Sequence, residues 1–355
     1  MTHQWPEQKP KNILVRMPNW LGDLVMATPI LKDLRGAFPD ASITAMCQSK
    51  VCALIKHDPN INEIFCFQKP SGWIHRRQHL DIIEPLRQGG YDLGVLLTNS
   101  FSSAWWLWRG NVKNRIGFKD HMRNYLLNKA VDYPENKQTQ HLVYTYKALL
   151  EPLGIKRTDS TPHLYLSDSE IEAAKELLRK YNIEPGKHKI IGINPGAAYG
   201  SAKCWLPERF EAVARKLIDN PDHRVIFFGD PSGAKLVDSI CRQLPEQVVN
   251  LAAKTSIREL MALIKLCSVF LTNDSGPMHI AAALKTPLVA LFGSTSDVKT
   301  GPFEHGKVIH KHVECSPCYK RVCPIDHRCM TRIEEDEVYK ELMNTLEKSE
   351  QATGV

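Results

Sequence analysis

No window of the chain holds eighteen consecutive apolar residues, so no segment reads as a transmembrane helix. Met1 to Lys11 is polar and lacks the apolar core of a secretory signal. Ten cysteines in 355 residues fall far below the density of a disulfide-built scaffold. Together these absences imply a cytoplasmic protein with most thiols reduced. No short tandem repeat or low-complexity tract interrupts the chain, which excludes solenoids and disordered tails. Neither G-x-G-x-x-G after a strand nor G-x-x-x-x-G-K-[ST] occurs, which argues against a dehydrogenase and against a nucleoside-triphosphatase.

What is present suits two soluble domains: 355 residues, 43% of them hydrophobic and 24% charged. Charge is unevenly spread. Residues 1–160 carry the whole net excess of +7, and residues 161–355 are balanced. Arg109, Lys113, Arg115, Lys119, Arg123 and Lys129 cluster against Asp120 alone. A one-sided basic field attracts nucleic acid, an anionic membrane or a phosphorylated acceptor, unless it is simply a solvated face. Trp105, Trp106 and Trp108 lead into this stretch, but no RNP or helix-turn-helix motif accompanies them, so nucleic acid is not the expected partner. These tryptophans suit domain packing or contact with a membrane-embedded acceptor.

The two halves share a grammar. Asn12–Val15 is an apolar run that breaks into Met17–Asp23, and Lys189–Ile193 breaks into Asn194–Ala198. Each reads as a buried strand entering a turn ahead of a helix. Further strands are predicted at Ser42–Met46, Leu93–Leu97, Arg224–Phe228, Val269–Leu271 and Leu288–Phe292. Helices are predicted between them at Ile30–Ala37, Ile171–Tyr181, Pro207–Leu217, Gly233–Arg242 and Ile257–Lys265. Such alternation predicts two doubly wound α/β domains, 11–165 and 166–333, joined through the polar, Pro- and Gly-rich stretch 155–188. A helix over 334–349, with Val338, Leu342 and Leu346 on one stripe, closes the chain and can pack back on the first domain. Two facing domains of this kind form a cleft at the carboxyl ends of their strands, where ligands bind.

Four segments carry chemistry. In Asn19-Trp20-Leu21-Gly22-Asp23, Gly22 permits a sharp turn and Asp23 is a candidate base, or else a loop or N-cap acid; Thr28-Pro29 offers the better helix start. In Thr272–His279, the amides of a helix opening at Pro277 form an anion site suited to a diphosphate, while Asp274 suits ribose, sugar hydroxyls or backbone amides. In Asn194–Trp205, a Gly-rich loop leads to Lys203, which either compensates charge on a departing phosphate or is a surface lysine beside a packed Trp205. Asp230 ends the next strand as a ribose acceptor or a turn residue. Finally, Cys315-x2-Cys318-x4-Cys323-x5-Cys329, with His310, His312 and His327 nearby, reads as a structural zinc site, a packed reduced loop or a redox-labile pair. The remaining cysteines, 47, 52, 66, 204, 241 and 267, read as small buried hydrophobes.

Taken in order, Ile13-Leu14-Val15-Arg16-x-x-Asn19-Trp20-Leu21-Gly22-Asp23, Asn194-Pro195-Gly196-Ala197, Lys203-x-Trp205-x-Pro207 and Asn273-Asp274-Ser275-Gly276-x-x-His279-x-Ala281-Ala282 resemble the ADP-heptose:lipopolysaccharide heptosyltransferases, glycosyltransferase family 9. The resemblance spans about residues 11–345. The Asn-Trp-x-Gly-Asp start and the Cys-Ser-Pro-Cys segment are most similar to the branch that adds the second inner-core heptose. It implies a GT-B architecture, with acceptor on the first Rossmann-like domain and nucleotide sugar on the second, and an inverting, metal-independent transfer from ADP-heptose to a lipid-linked lipopolysaccharide acceptor. ADP-heptose is then a substrate, no cofactor is required, and the enzyme works in the cytoplasm or at the cytoplasmic face of the inner membrane. The resemblance makes Asp23 the base and Lys203 the stabiliser of the ADP leaving group. It assigns Asn194, Gly196, Ala197, Lys203, Asp230, Asp274, Ser275, Gly276, Met278 and His279 to the donor, and Asn19, Trp20, Gly22 and Arg115 to the acceptor. Asp-x-Asp in a strand context, which would hold a divalent cation on the diphosphate, is missing; Asp168-Ser169-Glu170 is the nearest analogue, at a helix start. Other readings are a family member adding a different core heptose, such as the first, and a nucleotide-sugar-binding or epimerase-like protein of the same fold.

Overall fold

The computed structural model describes residues 5–72, 75–245 and 247–353. The chain divides into two compact units, Met1–Tyr165 and Leu166–Val355. Each is a six-stranded parallel sheet wrapped by helices.

In the first unit the strands are β1 (Asn12–Arg16), β2 (Ser42–Gln48), β3 (Glu63–Phe67), β4 (Leu93–Leu96), β5 (Asn114–Phe118) and β6 (Lys129–Val131), in the order β3-β2-β1-β4-β5-β6. In the second they are β7 (Lys189–Asn194), β8 (His223–Phe227), β9 (Val249–Asn250), β10 (Val269–Asn273), β11 (Leu288–Phe292) and β12 (Lys307–His310), in the order β12-β11-β10-β7-β8-β9. Counted from the first strand of each unit, both sheets run 3-2-1-4-5-6, the Rossmann order. Two Rossmann-like units in series are the domain content of a GT-B fold, as expected. The order reverses between β1 and β4 and between β7 and β10. In each sheet, the loops after its two switch-point strands therefore flank that sheet's own crevice, where such sheets take ligands.

Parallel strands covered on both faces read as unbroken apolar runs. β1, β7, β10 and β11 do so, and Ile13, Ile191, Phe270 and Leu291 are fully buried. The second unit's helices carry clear start signals. Ser167 and Glu170 close a capping box on Asp168–Arg179, as do Ser256 and Glu259 on Ile257–Leu266. Pro207 opens Pro207–Ile218, which buries Phe210, Val213, Ala214 and Leu217. The last helix, Glu335–Thr353, packs on Pro207–Ile218 and on the β10–β12 side of its own sheet. Its Val338, Leu342 and Leu346 stripe is buried, each side chain contributing about 1.5–3 kcal/mol. Among the described residues no helix is long and apolar enough to cross a membrane.

Two expectations need correction. Cys52 and Cys66 are not separate thiols but a disulfide. β2 and β3 set Cys47 opposite Cys66, and the turn Cys52–Ile55 folds back until the Cys52 and Cys66 Cα atoms lie 6.0 Å apart. Thr28-Pro29 is not the first helix start. A helix already runs over Leu21–Ala27, and Thr28 continues it in right-handed geometry, its hydroxyl donating to the Val25 carbonyl.

Candidate active site

The second unit gathers its candidate residues at the switch point. Asn194 ends β7 and Asn273 ends β10, and both are buried. Asn194 Nδ2 donates to the Gly196 carbonyl (3.0 Å) and to Ser275 Oγ (3.2 Å). Asn273 Nδ2 donates to the Pro195 carbonyl (2.6 Å), and its Oδ1 accepts from the Trp205 amide (3.1 Å). Two side-chain amides thus bind the loops after β7 and β10 into one floor. A Cβ on Gly196 would meet nothing within 4 Å, so this backbone borders open space. Ser275 turns its hydroxyl to Thr272 Oγ1 (2.9 Å) and does not cap Gly276–Ala283. Such a turn is suited to an anion.

Lys203 and Asp274 meet above this floor. Lys203 Nζ lies 2.5 Å from Asp274 Oδ2, with side chains 14% and 4% exposed. Thr295 Oγ1 donates to the same carboxylate oxygen at 2.5 Å. β10 and β11 are neighbours paired Asn273 to Leu291, so the loops that follow them lie side by side. Tyr199 places its ring 5.1 Å from Lys203 Nζ. Trp205 below is fully buried, its indole donating to the Ile333 carbonyl (3.0 Å).

The cysteine-rich segment braces this turn. The Ala202 amide donates to the Arg321 carbonyl (3.0 Å), the Tyr199 hydroxyl donates to the Tyr319 carbonyl (2.8 Å), and His327 Nε2 lies 3.2 Å from the Ala202 carbonyl. Gly200 is required here, since a Cβ would sit 2.2 Å from the Arg321 carbonyl oxygen. Cys315, Cys318, Cys323 and Cys329 are free thiols; Cys329 is buried, and burial, reinforced by its three neighbours, pushes its thiol up to about 11. Among the described residues, the His, Cys and carboxylate group whose donor atoms converge is Asp297, His310 and His312, not the cysteines.

The structure places the remaining donor-side candidates as follows. Asp230 is exposed and accepts from the Gly233 amide (2.8 Å) and Ser232 Oγ (2.7 Å), which makes it a turn residue. Met278 is fully buried and His279 nearly so, because the helix turns both side chains into the core. Ala197 is half-buried beside Gly196.

In the first unit, Asp23 is not in a loop ahead of the helix but in the first turn of Leu21–Ala27, directly after β1. It is half-buried, and its charge helps to raise the buried Tyr146 hydroxyl, after burial itself. Trp20, at the N-cap, is 61% exposed, and Gly22 is half-buried. Asn19 Oδ1 accepts from Arg16 NH2 at 2.5 Å. Arg16 is itself buried and also reaches the Met17 carbonyl and the Phe67 ring face. Burial lowers its guanidinium to about 10, which leaves it charged at neutral pH. Arg115 donates to the Leu126 (2.7 Å), Val112 (2.5 Å) and Lys113 (3.2 Å) carbonyls, so it shapes the turns beside β5 and is no bare cation.

The profile of glycosyltransferase family 9 (heptosyltransferase) matches residues 79–328. The chain belongs to this family. It is 33% identical over 345 residues to the lipooligosaccharide heptosyltransferase 2 of Campylobacter jejuni, covering 95% of this chain and 99% of that one. It is 31% identical over 304 residues to the lipopolysaccharide heptosyltransferase 2 of Escherichia coli, covering 82% and 86%. The solved structure of the E. coli ADP-heptose heptosyltransferase II superposes with a TM-score of 0.81 at 28% identity, over 96% of this chain and 99% of that one.

For this family 9 glycosyltransferase, the sequence alone gives no role to Arg16, which stands in the first motif, or to Tyr199, and does not single out Thr295. Arg16 had a sequence signal, a charge ending an apolar strand. Thr295 had only a Ser- and Thr-rich turn after β11, and its bond to Asp274 depends on which strands are neighbours.

Proposed function

We propose that the protein transfers a heptose from ADP-heptose to the lipopolysaccharide inner core, adding the second heptose, with inversion at the anomeric carbon and no metal on the diphosphate. The observation that carries this reading is the Lys203–Asp274 pair, 2.5 Å apart beside a helix start that Ser275 does not cap. It is joined by relatives named heptosyltransferase 2 at about one-third identity along most of the chain.

The chemistry is a single displacement. Asp23 takes the proton of the acceptor hydroxyl as its oxygen bonds to the anomeric carbon, and the bond from that carbon to the ADP phosphate oxygen breaks. Negative charge grows on the diphosphate. Lys203 and the amides of the Ser275–Gly276 turn meet it in place, without reorganising. Asp274 orients Lys203 and yields part of its pairing when the diphosphate arrives. On the first unit, Arg16 fixes Asn19 beside the acceptor, and the basic excess favours an anionic, lipid-linked acceptor. Exposed Trp20, Met122 and Tyr125, with Lys119 and Lys129 near the last two, suit peripheral contact with the cytoplasmic face of the inner membrane.

The test incubates the enzyme with ADP-heptose and defined inner-core acceptors carrying no heptose or one, followed by mass analysis. The one-heptose acceptor gains a single heptose, and the heptose-free acceptor gains none. Asp23→Asn abolishes transfer by at least about 10²-fold while calorimetric binding of ADP-heptose persists. Transfer near the wild-type rate removes Asp23 as the base, and product from ADP-heptose alone replaces the reading with an epimerase-like one.

A further inference from the structure

We propose that Asp297, His310 and His312 form a binding site for a divalent transition-metal ion of the zinc class, separate from the sugar-transfer machinery and independent of the reading above. The three residues come from different places. Asp297 opens the short helix Asp297–Thr300 after β11, His310 ends β12, and His312 lies two residues beyond it. Their donor atoms all lie within 4.8 Å of one another. His310 Nδ1 is 3.0 Å from Asp297 Oδ1, and His312 Nε2 is 3.7 Å from Asp297 Oδ2. Bonds of about 2.0–2.1 Å to a tetrahedral ion put neighbouring donors roughly 3.3 Å apart, so each histidine nitrogen lies close to that spacing from its own Asp297 oxygen.

The hydrogen bonds around His310 argue for a cation. Ser316 has one hydroxyl proton and gives it to the Gly293 carbonyl. Its oxygen therefore accepts from His310 Nε2, 2.9 Å away. In a neutral ring that leaves Nδ1 unprotonated, with its lone pair aimed at the Asp297 carboxylate. A positive charge between them resolves the clash. His312 brings a second imidazole nitrogen to the same carboxylate, with the two rings 4.0 Å apart. It does so from left-handed backbone, φ 42°. One metal ion takes the lone pairs of both imidazoles at once. A ligating imidazole whose other ring N–H is held by an outer acceptor is the usual arrangement at metal sites, and Ser316 Oγ supplies that acceptor here. Two imidazoles and one carboxylate favour zinc or a neighbouring transition ion over magnesium or calcium, which prefer oxygen donors alone. His312 is 66% exposed at its side chain and gives the ion a path in.

The full-length protein, stripped with chelator and desalted, is titrated with Zn2+ against a colorimetric chelator. Wild type retains one equivalent and gains thermal stability. His312→Ala, an exposed position that leaves the core untouched, weakens binding by about 100-fold or more, and Ser316→Ala weakens it by roughly 10- to 100-fold. Cys318→Ser/Cys323→Ser binds as wild type, and Co2+ gives a spectrum without a thiolate charge-transfer band. No stoichiometric Zn2+ on the wild type overturns the proposal and leaves a proton-mediated Asp–His pair. Binding unchanged in His312→Ala but lost in the cysteine variant overturns it in favour of the thiols. Neither outcome depends on whether the enzyme transfers heptose.

Discussion

Replacing Lys203 with methionine is predicted to cost both stability and turnover, and a second substitution separates the two. With Lys203 Nζ 2.5 Å from Asp274 Oδ2, the gross attraction at an effective dielectric of about 20 is roughly 6–7 kcal/mol. Desolvation of two largely buried groups offsets much of that in the intact protein. Removing one partner strands the other, which typically costs about 3–5 kcal/mol. Thr295 still donates to Asp274, so the lower end, about 3 kcal/mol, is expected for Lys203→Met. Adding Asp274→Asn removes the stranded charge, and the double variant should return to within about 1 kcal/mol of wild type. Turnover should not return. Loss of a preorganised charge at the leaving group costs about 10²–10³ in kcat, in the single and double variants alike. Urea unfolding and initial rates with ADP-heptose and acceptor read the two quantities separately. If the double variant is as unstable as Lys203→Met, the carboxylate is not the lysine's partner. If Lys203→Met turns over within about threefold of wild type, the lysine does not act on the transition state.

Trp205→Phe removes the indole bond to Ile333 and opens space against Phe210; it should cost about 2 kcal/mol, seen as a lower urea midpoint with unchanged slope. Glu170, bonded through both oxygens to Arg258, is drawn down to about 2, chiefly by that bond. Because the folded value lies below the ordinary carboxylate value near 4.3, this stabilisation is complete above that pH and is lost as pH falls toward 2. Glu170→Gln should cost about 1.5–3 kcal/mol at pH 7 and close to nothing near pH 2, read from denaturant midpoints across the range.

How far the sequence exposed this enzyme depends on which physical effect carried each feature. β1, β7, β10 and β11 were legible because strands covered on both faces must be continuously apolar, whereas β3, β6 and β12 lie at sheet edges with mixed burial and leave no such run. β5 carries Arg115 and Gly117 within five residues, which hides a strand whose remaining side chains are partly or fully buried. The Asp23 helix was misplaced for a different reason. Thr-Pro is a strong helix start, but here Pro29 opens a second helix straight after the first, since a proline in a first turn forfeits only an amide that had no partner. The Lys203–Asp274 pair was half legible: both residues were singled out, but as separate donor contacts, because 71 residues of chain separate them. What joins them is the placement of β7 beside β10, and what adds Thr295 is β11 on the far side of β10. Spacing along a chain reports the chemistry a residue can perform, but adjacency in a sheet decides which of those chemistries meet. The site is therefore most sensitive to changes that slip the register of β10 while leaving every reactive side chain in place.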